Sequence, residues 1–529
     1  FGVQGVLAKT FGLPPGNVRC VTYFVGGGFG CKGSVWSHVV LSAMAARQAG
    51  RPVKLVLTRA QMFGPVGFRP ETEQKVALGA ESDGTLAMVR HDVLSQTSTF
   101  DEFVEPSATV TRMLYDSASA ATSHRLSRLN YGTPTFMRAP GESSGTFAIE
   151  SAMDELAYAL KMDPIALRLK NYATQDPGNG KPWSSKSLRQ CYQVGAEKFD
   201  WSRRTPQPRS MTTPDGKRVG LGMATATYPT RRSPASALAR LLPDGTAYVQ
   251  AGSQDIGTGT YTVMTQVAAD ALGLPPNQVR FELGDTDMPQ TPVSGGSQTA
   301  ASTGSAVRAA GLAARQRAIQ MAVADTSSPL YGIAEADVDV QEGRLVSRSD
   351  PARGETYAAL MARQKLPGIE ARTQARPGDE RNEYSMHSFG AVFAEVHVDP
   401  ELGEIRLARL VGAYGVGNRL NAKTARSQLI GGVVYGIGMA LLEQTVPDTR
   451  YGRVMNADLA EYHVPVNADV PDIDVLFVDE EDYHINPLGI KGIGEIGITG
   501  VCAALANAVY HATGKRVRNL PITLDKVLS

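Results

Sequence analysis

The sequence predicts an α/β fold of the mixed α+β type, built from two related halves. Three stretches place a short turn between alternating apolar runs, a pattern typical of antiparallel β-hairpins: residues 71–95, 236–252 and 391–415. Five other stretches carry the apolar periodicity of helices: 34–50, 145–164, 262–273, 305–325 and 500–514. The third observation is an internal repeat, in which residues 7–21 match residues 268–282 as a helix, a GLPP turn and a strand.

The two repeat copies differ in what precedes them. SQDIGTGT at 253–260 comes before the second copy, and at the same offset its equivalent would lie before residue 1. We therefore expect the chain to begin inside a repeat unit, as a fragment, a processed product or one piece of a split subunit.

A change in composition suggests where the halves meet. Proline, glycine and polar residues concentrate in 173–187 and in 203–218, which indicates a connecting segment. The predicted domains are therefore 1–200, incomplete at its N-terminus, and 201–529.

Composition argues against nucleic-acid and membrane partners. Lys and Arg number 53 against 52 Asp and Glu, and this balance offers no electrostatic footprint for an anionic polymer or surface. No run of about twenty apolar residues stands out, and the N-terminus does not resemble a signal peptide. We expect a soluble protein in the cytoplasm, or in the periplasm if a partner chain carries the export signal.

The usual metal-binding side chains are poorly arranged for that purpose. The four cysteines lie far apart or in no ligand-like spacing, and the eight histidines form no HExxH pair. Neither a disulfide framework nor a zinc or iron–sulfur site is expected from them. Any metal is therefore expected to be held mainly by something other than side chains.

Three glycine-rich loops are candidates for ligand binding. In SQDIGTGTYT, Gly257 and Gly259 flank Thr258 just before a helical segment, so backbone N–H groups and the positive helix end can receive an anion. VGGGFGCK (25–32) and GGSQTAASTGSAVRAA (295–310) are the other two. Ordinary turn chemistry is the alternative for each, but three anion-cradling loops would suit a long ligand with a phosphate tail.

One carboxylate, Glu495, lies among glycines and isoleucines in KGIGEIGITG, residues 491–500. A charge in apolar surroundings is costly unless it is paired, bound or protonated, so such a residue usually has a function. Three roles fit the sequence: a general base, a metal ligand, or a cap of the C-terminal helix.

Five motifs in a fixed order carry a resemblance to a known family: GGGFGCK, FMRAPGE, QDIGTGT, SGGSQTAAS and KGIGEIG. In this order they resemble the molybdenum-binding subunit of the xanthine oxidase and aldehyde oxidoreductase family. The chain is most similar to bacterial aldehyde oxidoreductases that use molybdopterin cytosine dinucleotide. The resemblance implies two related molybdopterin-binding domains with mixed sheets and packed helices. It also implies that the pterin sulfurs hold the molybdenum, with no protein ligand to the metal.

The resemblance assigns site residues one by one. Glu495 matches the catalytic glutamate, Arg138 the arginine beside the metal, and Phe29 the phenylalanine under the cofactor. The catalytic residues are thus Glu495 and Arg138. The implied cofactor-binding residues are Gly27, Gly28, Phe29, Gly30, Arg138, Gln254, Asp255, Gly257, Thr258, Gly259, Thr299, Ala300, Ala301, Ser302, Lys491, Gly492 and Gly494.

The implied activity is oxidation of aldehydes to carboxylic acids with oxygen derived from water. Glu495 would remove a proton from the attacking oxygen. Electrons would pass to a 2Fe–2S centre and FAD on partner chains, namely an iron–sulfur subunit and an FAD subunit. The upstream part of the molybdenum subunit is a further expected partner.

Two alternatives remain beside an aldehyde substrate. Purine-hydroxylating members carry a glutamate where this chain has Gly33, so purines are disfavoured, but other N-heteroaromatic rings are an alternative substrate class. A non-catalytic cofactor scaffold is the alternative of another class. Glu495 argues against it, because a scaffold has no need of a base.

Overall fold

The computed structural model describes residues 1–528 of the 529 and has a mixed α+β fold. The α-helices of these residues are α1 (Gly2–Phe11), α2 (Ser37–Ala49), α3 (Thr111–Leu114), α4 (Glu142–Leu160), α5 (Pro164–Lys170), α6 (Leu188–Phe199), α7 (Thr260–Leu272), α8 (Thr299–Ala324), α9 (Tyr357–Gln364), α10 (Glu380–Glu383), α11 (Ala422–Ile437), α12 (Val501–Thr513) and α13 (Leu524–Leu528).

The strands form several small sheets. They are β1 (Thr72–Ala80), β2 (Leu86–Ser98), β3 (Ala120–Leu129), β4 (Arg218–Pro229), β5 (Ala235–Leu241), β6 (Ala247–Gln250), β7 (Val279–Glu282), β8 (Val338–Gln341), β9 (Arg344–Ser347), β10 (Gly354–Thr356), β11 (Ile369–Ala375), β12 (His387–Val398), β13 (Ile405–Gly415), β14 (Pro447–Asp448), β15 (Arg453–Val454) and β16 (Ile473–Val478).

The sheets are mixed, as the fold class predicts. Their strand orders are β1-β2-β3, β11-β5-β6-β7, β16-β13-β12-β4, β10-β9-β8 and β14-β15. The predicted hairpins are confirmed, because β1–β2, β5–β6 and β12–β13 pair antiparallel. The parallel pairs β2–β3, β6–β7 and β13–β16 require longer connections, which make the sheets mixed.

Helix α12 packs against the sheet β16-β13-β12-β4, where β4 meets it through glycines. A Cβ at Gly220 would lie 1.9 Å from the carbonyl oxygen of Ala508, and one at Gly222 would lie 2.3 Å from that of Ala504. The helix is rich in alanine and almost wholly buried, so backbone approaches backbone closely. This contact fixes the start of α12, which follows the loop that carries Glu495.

Helices α7 and α8 pack together against the sheet β11-β5-β6-β7. Their shared core contains many small side chains, including Ala268, Ala310 and Ala314, which are fully buried. Because both helices are fixed against one sheet, their N-termini are held in place. The loops that precede these N-termini are two of the three glycine-rich loops.

The internal repeat is confirmed only in part. Both copies form a helix and a GLPP turn, followed by a short 3-10 helix at Pro15–Asn17 and Pro276–Gln278. The second copy continues into β7, but the strand predicted after the first turn is wrong. There the chain makes only isolated bridges, from Val21 to Asp285 and from Phe24 to Asp255.

Two helical segments correct the expectation about apolar runs. By length and composition alone, both are long and apolar enough to cross a membrane. They are Ala422–Leu442, which is α11 with its π-helical extension, and Ile496–Thr513, which contains α12. Ile496–Thr513 is 94% buried, as a core helix of a globular protein would be, and Ala422–Leu442 is 44% buried.

The domain boundary near residue 200 stays a prediction. Helix α6, just before that boundary, packs on β12 and β13, which follow it. Its residues Cys191 and Phe199 share a core with Phe393 and Val411. The segments 173–187 and 203–218 contain almost no regular structure, as their composition indicates.

Candidate active site

One cavity of about 1380 Å³ is lined by all five motif loops. The loops come from distant parts of the sequence, and the packing of α7, α8 and α12 brings them together. The predicted site residues in its wall are Gly28, Phe29, Gly30, Arg138, Gln254, Gly257, Thr258, Thr299, Ala300, Lys491, Gly492, Gly494 and Glu495.

Five predicted cofactor-binding residues do not line the cavity, and their assignment stays a prediction. Two of them support the loops beside the cavity wall. Asp255 accepts a hydrogen bond from the backbone N–H of Gly257 at 2.7 Å, and Ser302 accepts one from that of Ser233 at 3.0 Å. The five are Gly27, Asp255, Gly259, Ala301 and Ser302.

The first glycine loop has a strained backbone. Phe29 has a φ of 50° and Gly30 a φ of 111°, in the region that favours glycine. A Cβ at Gly30 would lie 2.1 Å from the carbonyl oxygen of Phe136, so only glycine fits. The loop presents the Phe29 ring, 53% exposed, to the cavity, where it stacks on Tyr435 at 5.8 Å between ring centroids.

Glu495 is held in the cavity wall by two hydrogen bonds. Its Oε1 accepts one from the backbone N–H of Ala139 at 3.1 Å, and its Oε2 accepts one from the Ser297 hydroxyl at 2.7 Å. These donors come from the FMRAPGE and SGGSQTAAS loops. Both carboxylate oxygens are therefore fixed by loops that share the cavity.

The role of Glu495 as a cap of the C-terminal helix is excluded by this geometry. Helix α12 begins at Val501 and its N-cap is Gly500. Glu495 instead precedes the short 3-10 helix Ile496–Ile498, and its side chain makes no capping hydrogen bond there.

Arg138 connects two of the cavity loops. Its guanidinium donates to the carbonyl oxygens of Gly494 at 2.7 Å and Gln428 at 2.8 Å. Burial lowers the pKa of Arg138, and the nearby carboxylate of Glu495 opposes that shift. Arg138 thus holds the backbone beside Glu495, and its guanidinium lies 6.0 Å from the Phe29 ring centroid.

The ammonium group of Lys491 is already paired within the protein. It is fully buried and lies 2.6 Å from Glu480 and 3.5 Å from Asp482. It also donates to the carbonyl oxygen of His387 at 2.8 Å. Burial alone would raise the pKa of Glu480, but the Lys491 ammonium outweighs it and lowers that pKa. The ammonium therefore anchors the KGIGEIG loop, and the predicted cofactor contact of Lys491, which lines the cavity, stays a prediction.

Sequence reasoning missed several polar groups near Glu495. Tyr228 and Arg231 line the cavity, and Ser297 supplies a hydrogen bond to Glu495. Glu142, in the first turn of α4, is buried close enough for its charge to act on Tyr228. Two of them stand in the five motifs, Ser297 in SGGSQTAAS and Glu142 at the end of FMRAPGE, whereas Tyr228 and Arg231 stand in none.

A further acid lies elsewhere in the cavity wall. Burial raises the pKa of Glu443, whose carboxylate accepts a hydrogen bond from the Tyr462 hydroxyl at 3.2 Å. Within residues 1–528, no three His, Cys, Asp or Glu side chains are grouped to hold a metal ion. All four cysteines are free thiols.

Comparisons with known proteins match this architecture. Molybdopterin cofactor-binding domain models match residues 1–172 and 194–471. The aldehyde oxidoreductase molybdenum-binding subunit PaoC of Escherichia coli (strain K12) is 37% identical, over 99% of this chain and 69% of that protein. The putative xanthine dehydrogenase molybdenum-binding subunit XdhA of the same strain is 30% identical, over 98% of this chain and 70% of that protein.

A solved structure agrees with these matches. The aldehyde oxidoreductase from Desulfovibrio gigas superposes with a TM-score of 0.80 at 26% identity, covering 99% of this chain and 56% of that one. The five motif loops that line one cavity are thus found in a chain with two matched cofactor-binding domains. The chain belongs to the xanthine oxidase family, as a molybdopterin cofactor-binding subunit.

Proposed function

We propose that this chain is the molybdenum subunit of an aldehyde oxidoreductase, which oxidises aldehydes to carboxylic acids with oxygen derived from water. The observation that carries the proposal is the position of Glu495. Its carboxylate is oriented by two hydrogen bonds in the wall of a cavity that the cofactor-binding loops line. The name of the 37% identical relative PaoC supports the substrate class.

The cavity residues fit a molybdopterin dinucleotide. Gly30 leaves no room for a side chain, so the backbone itself forms the wall. Gly257 and Thr258 precede the N-terminus of α7, and Thr299 and Ala300 begin α8, so both helix ends offer backbone N–H groups to phosphates. We infer that these loops hold the phosphates of molybdopterin cytosine dinucleotide and that Phe29 contacts its pterin.

When bound, the cofactor supplies the two-electron oxidation and the site where water-derived oxygen meets the substrate carbon. Glu495 acts as the general base that accepts the proton of that oxygen. Its two hydrogen bonds hold the carboxylate in one orientation, which positions a base for proton transfer. Arg138 keeps the backbone at Gly494 in place and so sets where Glu495 lies.

The cavity wall supports an aldehyde and disfavours a purine. Gly33 lines the cavity, and a Cβ there would lie 2.8 Å from the ring of Phe136. A glutamate at this position would therefore require Phe136 to move. Phe103, Val104 and Val464 add apolar surface to the wall, which suits the hydrocarbon part of an aldehyde.

The electrons must leave through other chains. The four cysteines of this chain are scattered free thiols, so we infer that a 2Fe–2S centre and FAD are carried by an iron–sulfur subunit and an FAD subunit. The relatives are named as subunits, which supports an assembly of several chains. The upstream part of the molybdenum subunit is the remaining inferred partner.

The test is to purify the assembly with its partner chains, measure its molybdenum and cytosine nucleotide, and assay benzaldehyde, a purine and nicotinate. We expect stoichiometric molybdenum and nucleotide, with oxidation of benzaldehyde far above the other two. Preferred oxidation of nicotinate would support the N-heteroaromatic hydroxylase instead. A loaded assembly that oxidises none of them would favour the scaffold.

A further inference from the structure

The peptide that joins Arg138 to Ala139 is held on both sides by charged side chains. Its N–H donates to Oε1 of Glu495 at 3.1 Å, and its carbonyl oxygen accepts a hydrogen bond from Nη2 of Arg69 at 2.6 Å. Because the C=O and N–H of a trans peptide point in opposite directions, Arg69 and Glu495 lie on opposite sides of one rigid unit. The orientation of this single peptide therefore links the two side chains.

The backbone next to this peptide has a conformation that needs support. Ala139 has a φ of 54°, in the left-handed region that a residue with a side chain rarely adopts. Such a conformation persists only where the surrounding structure holds it. The N–H of Arg138 donates to the carbonyl oxygen of Phe29 at 2.7 Å, and its guanidinium donates to that of Gly494 at 2.7 Å. Arg69 supplies the hydrogen bond on the carbonyl side of the peptide.

Glu105 holds the guanidinium of Arg69 in place. Glu105 is fully buried, and its Oε1 lies 3.0 Å from Nη1 of Arg69. The same oxygen accepts a hydrogen bond from the backbone N–H of Gly141 at 2.8 Å, which ties the pair to the FMRAPGE loop. A guanidinium suits this position, because its two Nη atoms donate to two acceptors at once in a fixed geometry. Neither Arg69 nor Glu105 lines the cavity.

We propose that Arg69 is a positioning residue that acts on Glu495 through the peptide between Arg138 and Ala139. Its guanidinium fixes this peptide so that the N–H points at Oε1 of Glu495. Its positive charge also polarises the peptide and strengthens the N–H as a donor. The carboxylate of the base is thus oriented from behind the cavity wall. The inference rests on the proposed function, because the orientation of Glu495 affects turnover only if Glu495 is the base.

The variant for the test must remove the guanidinium without leaving a buried charge. Arg69→Met alone would leave the carboxylate of Glu105 unpaired inside the protein, which destabilises the fold. The test therefore combines Arg69→Met with Glu105→Gln. The glutamine keeps an oxygen that can accept the hydrogen bond from Gly141, and neither charge remains.

The first test measures kcat and KM for benzaldehyde in the complete, cofactor-loaded assembly, normalised to bound molybdenum. We expect kcat of Arg69→Met with Glu105→Gln to fall about tenfold with KM near the wild-type value, because the base loses a fixed donor while substrate binding is unchanged. Glu105→Gln alone retains the guanidinium and should lose much less. A purely structural role of Arg69 would instead lower the molybdenum content and leave kcat per bound molybdenum unchanged.

A matched control comes from another ion pair of similar burial. Arg516 and Asp154 lie 2.6 Å apart with side chains 13% and 2% exposed, against 17% and 0% for Arg69 and Glu105. Neither Arg516 nor Asp154 lines the cavity. Arg516→Met with Asp154→Asn should keep the wild-type kcat per bound molybdenum. If this control loses as much kcat as Arg69→Met with Glu105→Gln, or if the latter has the wild-type kcat, the inference is wrong.

A double-mutant cycle tests whether Arg69 acts through Glu495. Reduction of the loaded assembly by benzaldehyde is followed over a single turnover in Glu495→Gln, with and without Arg69→Met and Glu105→Gln. The added changes should have little effect once the carboxylate is gone, because coupled residues are not additive. A further loss of about tenfold, equal to that expected with Glu495 present, would overturn the inference.

The last test reads the peptide directly through amide hydrogen exchange of residues 137–141, measured by mass spectrometry. These amides should exchange faster in Arg69→Met with Glu105→Gln than in wild type, and at the wild-type rate in Arg516→Met with Asp154→Asn. The measurement does not require turnover. If no assembly oxidises aldehydes, the proposed function fails while the exchange still decides whether Arg69 holds the peptide. If aldehydes are oxidised but the exchange is unchanged, the positioning role fails and the proposed function stands.

Discussion

Two glutamates of this chain, Glu150 and Glu495, lie in surroundings that differ in how completely their polar atoms are paired. Glu150 is fully buried, and its carboxylate accepts hydrogen bonds from Arg168 at 2.8 Å, from the backbone N–H of Thr225 at 2.6 Å, and from the hydroxyl of Tyr115. Arg168 donates again to the backbone carbonyl of Glu150. This region joins α4, α5 and β4, and the carboxylate of Glu150 is paired by hydrogen bonds within it.

The buried polar atoms around Glu495 are only partly paired by hydrogen bonds. Its carboxylate has two donors, and Oε2 of the buried Glu142 nearby has no hydrogen-bond partner. Glu495 lines the cavity and Glu150 does not, so we expect the region around Glu150 to maintain the fold and Glu495 to take part in the chemistry.

Replacement of the predicted base should give the largest effect. Glu495→Gln should lower kcat by about 10²–10⁴-fold, as expected for loss of a general base, while molybdenum and nucleotide content stay at wild-type levels. The check is steady-state kinetics normalised to bound molybdenum. Full activity in a cofactor-replete Glu495→Gln assembly would contradict the assignment.

Disruption of the region around Glu150 should act on stability instead. Arg168→Met leaves the Glu150 charge buried without its partner, and such a loss costs about 3–5 kcal/mol of unfolding free energy. Urea denaturation measures this cost, and turnover per bound molybdenum should stay near the wild-type value.

A double variant is the control for this comparison. Arg168→Met combined with Glu150→Leu removes both charges and should recover much of the lost stability, since a buried pair replaced by apolar residues is often neutral. If Arg168→Met has the unfolding free energy of wild type but a lower turnover, the assignment of a structural role to the region around Glu150 is wrong.

Loss of a single donor to Glu495 should give the smallest effect. Ser297→Ala removes the hydrogen bond to Oε2, and a hydrogen bond to a charged group contributes about 1.5–3 kcal/mol. We expect kcat to fall by about tenfold with little change in KM. Ser233→Ala is the matched control, because that hydroxyl donates to the Gln298 side chain and not to Glu495. Equal losses in both variants would refute an effect specific to the base.

Local pattern sufficed to predict three hairpins and the helices α2, α4, α7, α8 and α12, whereas α6, α11 and β4 were not predicted. The three hairpins have turns and alternating apolar residues within one short stretch, so their pairing is encoded locally. The strand expected after the first GLPP turn fails because a strand needs a paired neighbour, and residues after Val18 find only single bridges to Asp285 and Asp255.

The site was predictable where a motif marks it. Glu495 and Phe29 lie in glycine-rich loops that stand out in the sequence, and both line the cavity. Tyr228 does not stand out, because a tyrosine at a strand end is a common feature, and Glu142 ends the FMRAPGE motif without any local sign that its carboxyl group is buried. Tertiary packing buries both side chains, which no local pattern predicts.

The central claim is that this subunit supports oxidation of an aldehyde with oxygen taken from water. The most direct measurement is oxygen-isotope analysis of benzoate formed from benzaldehyde by the loaded assembly in ¹⁸O-labelled water, without O₂ and with an artificial electron acceptor. Because aldehydes exchange their oxygen with water through hydration, the assembly is first cycled in the labelled water so that the oxygen in its site carries the label. The reaction is then kept to a single rapid turnover, and the label of unreacted benzaldehyde is measured beside it. The account predicts benzoate with one labelled oxygen more than the remaining aldehyde carries. Benzoate with no label beyond that of the aldehyde would contradict it.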